Sequence, residues 1–263
     1  MTLIVGIKCS DGIVVGADGA ATLGEMGQRT VQQPVRKLSI LSHKVIIGVS
    51  GKVGLGQRII ERVGDLYSEG KLAGKKSGAA MSLLRAAIWP DISGELQAAR
   101  EAQQVVGQIA LASAISHTIV ALPLDRQFSL IYFNQQAAPE EATEDLPFIA
   151  IGSGQPTADP FLAFIKRIFW PTGLPSLEMG IFSTFWTLQH SIETNPGGVA
   201  NPKQIMVLEK DGKDFKAREL ADEEVEEHYE AVSAAESTLK DFKTLTRASL
   251  TPPTSPPLPE PPE

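Results

Sequence analysis

Cys9 is the only cysteine in 263 residues, so no internal disulfide can staple the fold, and the chain suits a reducing cytoplasm. The position of Cys9 at the end of an apolar run marks it as a buried, inert thiol. The four histidines, His43, His117, His190 and His228, are scattered without ligand spacing, which leaves no zinc signature. There is no excess of positive charge either: the net charge is −7 and the isoelectric point about 5.2. With no basic stripe, nucleic acid is not an expected partner. Long apolar runs are missing as well. Phe161 to Trp170 is interrupted by Lys166 and Arg167 and falls far short of the ~20 residues that span a bilayer. The apolar N-terminal run lacks a basic leader, so no secretory signal is expected.

What is present is a large apolar fraction, 43% of the chain, enough for one sizeable core plus an appendage when a domain takes roughly 100–200 residues. Short apolar runs bounded by turn residues predict strands near 2–9, 12–18, 36–41 and 44–50. Ser10-Asp11-Gly12 signals a tight turn between the first two. Apolar spacing at Ile59, Ile60, Val63, Leu66 and Tyr67 predicts a helix from Val53 to Glu69. A second helical stretch, Ser77 to Gln104, contains Pro90, which is expected to kink or break it. Strands follow at 116–122 and 127–133 around a turn at Asp125-Arg126, then helices near 157–169 and 175–192, then strands at 203–209 and 214–218. From Asp222 to about Phe242 the chain reads as an acidic helix, its first-turn acids suited to the positive end of the helix dipole. Val225, Tyr229, Val232 and Leu239 give that helix an apolar stripe for docking. Beyond Leu250 a proline-rich tail has no means of building a packed core.

The chemistry starts at Thr2. If Met1 is removed, one residue carries both a hydroxyl nucleophile and a free α-amine, and the amine serves as the base. Its ordinary pKa of roughly 7.7–8.0 leaves it able to accept a proton near neutral pH. A hairpin between the first two strands brings the acid Asp18 back beside Thr2. Downstream, Lys37 opens one strand and Gly51 closes the next, and Ile149-Ala-Ile-Gly-Ser-Gly154 places Ser153 ahead of a helix. Each of these has an ordinary structural reading taken singly: a turn acid, an edge-strand lysine, turn glycines, a helix cap.

In this order and at these intervals the residues resemble those of the proteasome β-type subunits and their bacterial relative HslV, the N-terminal nucleophile threonine peptidases. Ala17-Asp-Gly-Ala-Ala-Thr-Leu-Gly24 is similar to the same stretch of HslV. The resemblance implies an α+β fold, the four-layer αββα sandwich of N-terminal nucleophile hydrolases. It assigns Thr2 as nucleophile, Asp18 as buried acid, Lys37 as the lysine, Gly51 as oxyanion-hole donor and Ser153 as supporting serine. It also places Ala21, Val49 and Val53 on the walls of the P1 pocket, where three apolar side chains imply a preference for apolar P1 residues. A gapless match to HslV would put Pro34 at the lysine position. Lys37 is preferred for its interval to Gly51, which requires a short insertion after Asp18. Near Ser191-Ile-Glu-Thr-Asn-Pro-Gly-Gly198 this chain has Glu193 and Pro196 where the family has an aspartate and a serine.

The implied organisation is a peptidase domain over 2–220, an acidic helix over 221–246 and a tail over 247–263. The implied activity is threonine-type endopeptidase cleavage of unfolded proteins and peptides, without cofactor or metal, inside a homo-oligomeric stacked double ring. The aromatic clusters Phe161–Trp170 and Phe182–Trp186 are candidates for ring contacts, and family practice implies an ATP-driven unfoldase as partner. Two other readings stay open: a weakly active or inactive ring protein that binds partners, and an N-terminal nucleophile amidase acting on small molecules.

Overall fold

Ser10, Asp11 and Gly12 turn the chain between β1 (Ile4–Lys8) and β2 (Gly12–Ala17), with the Cys9 N–H donating to Gly12 O at 2.9 Å. The computed structural model describes residues 2–23, 31–107, 109–195 and 199–250. Both strands are buried on both faces, which accounts for their nearly unbroken apolar sequence. Alternation still sorts them: Val5, Ile7 and Val14 face one apolar cluster, while Ile4, Ile13 and Val15 face another.

β3 (Ala20–Leu23) and β4 (Val31–Pro34) form a separate two-stranded ribbon. β5 (Leu38–Leu41) and β6 (Val45–Ser50) then open a second sheet, which continues after three helices through β7 (His117–Leu124), β8 (Gln127–Phe133) and β9 (Pro139–Glu141). Its order is β5-β6-β7-β8-β9. Asp125 and Arg126, both at positive φ (46° and 62°), make the tight turn between β7 and β8 at the expected place. The chain returns to the first sheet through β10 (Phe148–Ile151), β11 (Gln204–Asp211) and β12 (Asp214–Glu219), giving the order β10-β1-β2-β11-β12. All strand pairings are antiparallel.

Three apolar clusters correspond to the three interfaces between four layers. α1 (Val53–Ser68) and α2 (Ser77–Val106) cover the second sheet, where Leu55, Ile59, Val63, Leu84, Ile88 and Ile92 pack on Val45, Ile47 and Val120. Ile4, Ile13, Leu38, Ile46, Ile119 and Leu130 fill the space between the sheets. α4 (Gln155–Phe169) and α5 (Leu177–Thr194) cover the first sheet, with α3 (Ile109–Ala114) a short turn of helix between α2 and β7. At roughly 1.5–3 kcal/mol for each fully buried aliphatic side chain, these three seams dominate the stability and hold the strand ends in place.

The structure corrects three expectations. Pro90 does not break α2, which runs unbroken to Val106. Ala86 and Pro90 are both exposed, so the carbonyl that loses its partner to the proline ring faces water. The aromatic clusters are largely internal: Trp170, Phe185 and Trp186 are buried, Phe161 and Phe182 are half-buried, and of their large apolar side chains Phe164, Ile168 and Phe169 are exposed. The acidic helix, α6 (Asp222–Leu250), extends past Phe242. It docks through buried Val232, half-buried Val225 and a hydrogen bond from Trp186 Nε1 to Glu236 Oε1 at 3.0 Å, whereas Leu239 is exposed. The proline-rich tail beyond Leu250 lies outside the described residues, as does most of the short insertion, at residues 24–30.

Candidate functional site

Register brings the expected residues to one end of the molecule. Ile4 pairs with Ala17 on one side and Ile151 on the other, so Thr2, Asp18 and Ser153 all fall just beyond the same edge of the first sheet. In the second sheet Leu38 pairs with Gly48, which leaves Lys37 and Gly51 flanking one end of that hairpin.

Asp18 is fully buried and its carboxylate is saturated. Oδ1 accepts the Leu3 N–H at 2.8 Å and the Lys37 ammonium at 2.5 Å, and Oδ2 accepts the N–H groups of Ala20 and Ala200 at 3.4 and 3.3 Å. A buried carboxylate is tolerated only with such partners. The Lys37 side chain is 7% exposed. Burial pulls its pKa below the ordinary lysine value, and the charge and hydrogen bond of Asp18 act against that. Pro34 lies on β4 opposite Ala20, so Lys37 is the residue that meets the acid.

Ser153 Oγ accepts the Thr2 N–H at 3.1 Å, and Gly154 N–H donates to Thr2 O at 3.1 Å. Gly152 makes this approach possible. It has φ +94°, and a Cβ there would fall onto the Thr2 carbonyl. Met1 lies outside the described residues. Thr2 is therefore tied to Ser153 directly, and to Asp18 and Lys37 through its neighbour Leu3.

Gly51 follows β6 with φ +125°, and a Cβ added there would lie 2.8 Å from Ile115 O. Val49 is half-buried against α1, Val53 is 60% exposed at the start of that helix, and Ala21 sits on β3, where only its backbone is described. Glu193 is exposed and hydrogen-bonded to Gln189 within α5, with no contact to Asp18 or Ser153 among the described residues. Pro196 lies outside the described residues. A cleft of about 430 Å³ has Ala20 and Ala200 in its walls, the two residues bonded to Oδ2 of Asp18, but not Thr2.

Sequence patterns did not reveal Gln204. It is buried at the start of β11, and its Oε1 accepts the N–H groups of Lys37 at 2.7 Å and Leu38 at 3.4 Å. A lone glutamine distant in sequence from the lysine carries no local signature. Among the described residues no cluster of His, Cys, Asp and Glu is placed to hold a metal ion, and no helix is long and apolar enough to cross a membrane.

Two antiparallel sheets packed face to face between helices define an α+β sandwich of the N-terminal nucleophile hydrolase type. The proteasome subunit family model matches residues 2–163, and the chain belongs to that family. Solved structures share the fold. Anbu (ancestral beta-subunit) from Yersinia bercovieri superposes with a TM-score of 0.65 at 15% identity, covering 98% of this chain and 100% of that one. Anbu from Hyphomicrobium sp. strain MC1 gives 0.62 at 16% identity, covering 91% and 97%. The helical assembly of the Anbu complex from Pseudomonas aeruginosa gives 0.63 at 16% identity, covering 97% and 98%. No curated protein matches the chain.

Proposed function

We propose that the chain is a threonine-type endopeptidase whose nucleophile is Thr2 after removal of Met1. The observation that carries this reading is the paired linkage of Thr2 to Ser153 and of its neighbour Leu3 to the Asp18–Lys37 pair. In the first step Thr2 Oγ attacks the carbonyl carbon of a peptide bond, and its proton passes to the α-amine directly or through a water. Lys37 favours the developing alkoxide with its charge. The Gly51 N–H donates to the tetrahedral oxyanion, a contribution typically worth about 2.7–4 kcal/mol. The C–N bond then breaks, the amine returns its proton to the leaving nitrogen, and an ester on Thr2 remains. Water activated by the same amine attacks the ester, releasing the acid product and restoring the threonine. Ser153 orients the amine throughout.

Val49 and Val53 are uncharged and apolar, which supports a preference for apolar P1 residues in unfolded polypeptides. An open cleft of this kind is safest when enclosed in a homo-oligomeric ring in the cytoplasm, fed by an ATP-dependent unfoldase; of this, the helical assembly of the Pseudomonas relative supports the self-association of copies. The peptidase unit spans residues 2–220, with α6 as an accessory arm.

One observation favours a second reading, a ring protein of low activity. Glu193 is exposed and its carboxylate accepts from Gln189 one turn earlier on the same helix, so the auxiliary acid of the family has no counterpart bonded to the Thr2 site among the described residues. Intact mass of the purified chain, with hydrolysis of unfolded casein and an apolar-P1 fluorogenic peptide by wild type and Thr2→Ala, separates the two. The peptidase reading expects loss of methionine and turnover that Thr2→Ala abolishes. Wild type that has lost Met1 and assembled, yet is as inactive as Thr2→Ala, would establish the second reading.

A further inference from the structure

We propose that Gln204 is a positioning residue for Lys37, holding the lysine's backbone so that its ammonium stays docked on Asp18. This inference rests on the peptidase reading of the site. Gln204 begins β11 in the first sheet, where it pairs with Ala17, the residue before Asp18. Its side chain crosses to the second sheet and accepts two successive peptide N–H groups, from Lys37 at 2.7 Å and Leu38 at 3.4 Å. Two donors facing one amide require its oxygen, not its NH2, on that side, so the orientation of the side chain is fixed by chemistry. Gln204 is 5% exposed, and β5 is the edge strand of its sheet, so removing the amide oxygen leaves N–H groups at a nearly dry seam short of an acceptor.

The consequence is a closed brace. Asp18 hangs from the end of β2, Gln204 from the adjacent end of β11, and each grips a different part of Lys37: the carboxylate its ammonium, the amide its backbone. An ammonium on a flexible four-carbon stem has little positional precision of its own. With its root clamped as well as its tip, the charge is held in one place relative to the end of β1, where Thr2 lies. Such a brace acts on the chemical step and not on substrate capture, so its loss lowers kcat while KM holds.

The test compares wild type, Gln204→Met and Gln204→Glu on an apolar-P1 fluorogenic peptide, with Thr2→Ala as the blank, and follows amide exchange at Lys37 and Leu38 by NMR. Gln204→Met keeps the length of the side chain without the acceptor and is expected to lose about tenfold to a hundredfold in kcat, with KM within about twofold and faster exchange at both amides. Gln204→Glu keeps an acceptor oxygen in the same place and is expected to recover most of kcat and the slow exchange. Unchanged kcat in Gln204→Met, or a loss confined to KM, would overturn the proposal. If Gln204→Met fails to fold, the wild-type amides decide: slow exchange at Lys37 and Leu38 supports the brace, and exchange at the rate of an open edge strand refutes it. Should wild type lacking Met1 be inactive, the peptidase reading fails by itself, and the exchange data still show whether Gln204 holds Lys37.

Discussion

The Lys37 ammonium meets the Asp18 carboxylate at 2.5 Å although the two residues adjoin strands of different sheets, Asp18 the end of β2 and Lys37 the start of β5. The contact is a covered cross-link between the two halves of the sandwich, with the acid fully buried and the lysine side chain 7% exposed. It is asymmetric. Asp18 also accepts three backbone N–H groups, from Leu3, Ala20 and Ala200, so it organises three chain segments besides the lysine.

Asp18→Ala is therefore expected to be the more damaging of the two deletions. It orphans two buried N–H groups, a partly buried one and a desolvated ammonium, and breaking a buried pair in this way costs about 3–5 kcal/mol. Lys37→Met leaves the carboxylate its backbone donors and should cost clearly less. Urea midpoints for both variants check the order. Equal losses would show that the backbone donors do not sustain the carboxylate once the lysine is gone.

Much of this arrangement was legible in the sequence because it is local or follows from strand pairing. A turn at Ser10–Gly12 fixes the β1–β2 register, and that register alone returns Asp18 to the start of β1. The turn at Asp125–Arg126 was equally readable from its chemistry. What escaped was decided by layers packing on one another. Trp186 lies in an aromatic stretch that looked fit for a surface, but α6 arrives to cover it and supply Glu236 as partner to its indole N–H. Pro90 looked like a helix breaker, and whether its unpaired carbonyl faces water or core depends on which side of α2 meets the sheet. Gln204 and Lys37 are 167 residues apart, a separation over which no local pattern operates.

The start of α6 should respond to acid. Glu224 accepts hydrogen bonds from Arg218 of β12 at 2.7 Å and from the Ala221 N–H at 2.9 Å. The Arg218 bond chiefly, then the N–H, lowers its pKa below the ordinary glutamate value of 4.5. Because the folded value lies below the unfolded one, this contribution is complete above about pH 4.5 and disappears as pH falls through the folded value. The side chain is 36% exposed, and water screening holds the gain to about 0.2–1 kcal/mol. Glu224→Gln should therefore lower the urea midpoint at pH 7, by a margin that shrinks as pH falls below about 4.5. A deficit that does not shrink with acid would point to packing and not charge.

Cys9 should report global opening. It is 2% exposed, its thiol faces Ile7 O, and burial first, then the charge of Asp11, pushes its pKa well above the usual thiol range, only partly offset by the Val14 backbone hydrogen bond. Alkylation requires the thiolate and access to it, and the native state denies both. Gly180 on α5 is packed so closely over the sulfur that even a Cβ at that position would collide with it. Iodoacetamide at pH 8 is expected to leave the native chain unmodified and to label Cys9 at the rate of unfolding as urea is raised. Labelling well ahead of the loss of secondary structure would mean that α5 lifts off the sheet independently.

Gly51 offers the sharpest separation of architecture from chemistry. Its φ of +125° is a conformation that side chains rarely adopt, and a Cβ would meet Ile115 O at 2.8 Å and Ser116 Cβ at 3.0 Å. Both neighbours belong to the segment leading into β7, so Gly51→Ala has to rotate the backbone or push that segment away, at a cost of about 1–3 kcal/mol. Either movement also turns the N–H proposed to face the oxyanion, and losing one such donor lowers kcat by about 10²–10³. Gly78, in the first turn of α2 with open space around it, is the contrasting site, where Ala should stabilise by about 0.4–1 kcal/mol and leave turnover alone. Thermal melts and peptide hydrolysis for the two variants check both halves. If Gly51→Ala is destabilised by the expected amount yet turns over peptide at the wild-type rate, Gly51 is an architectural glycine and the oxyanion donor has to be sought elsewhere.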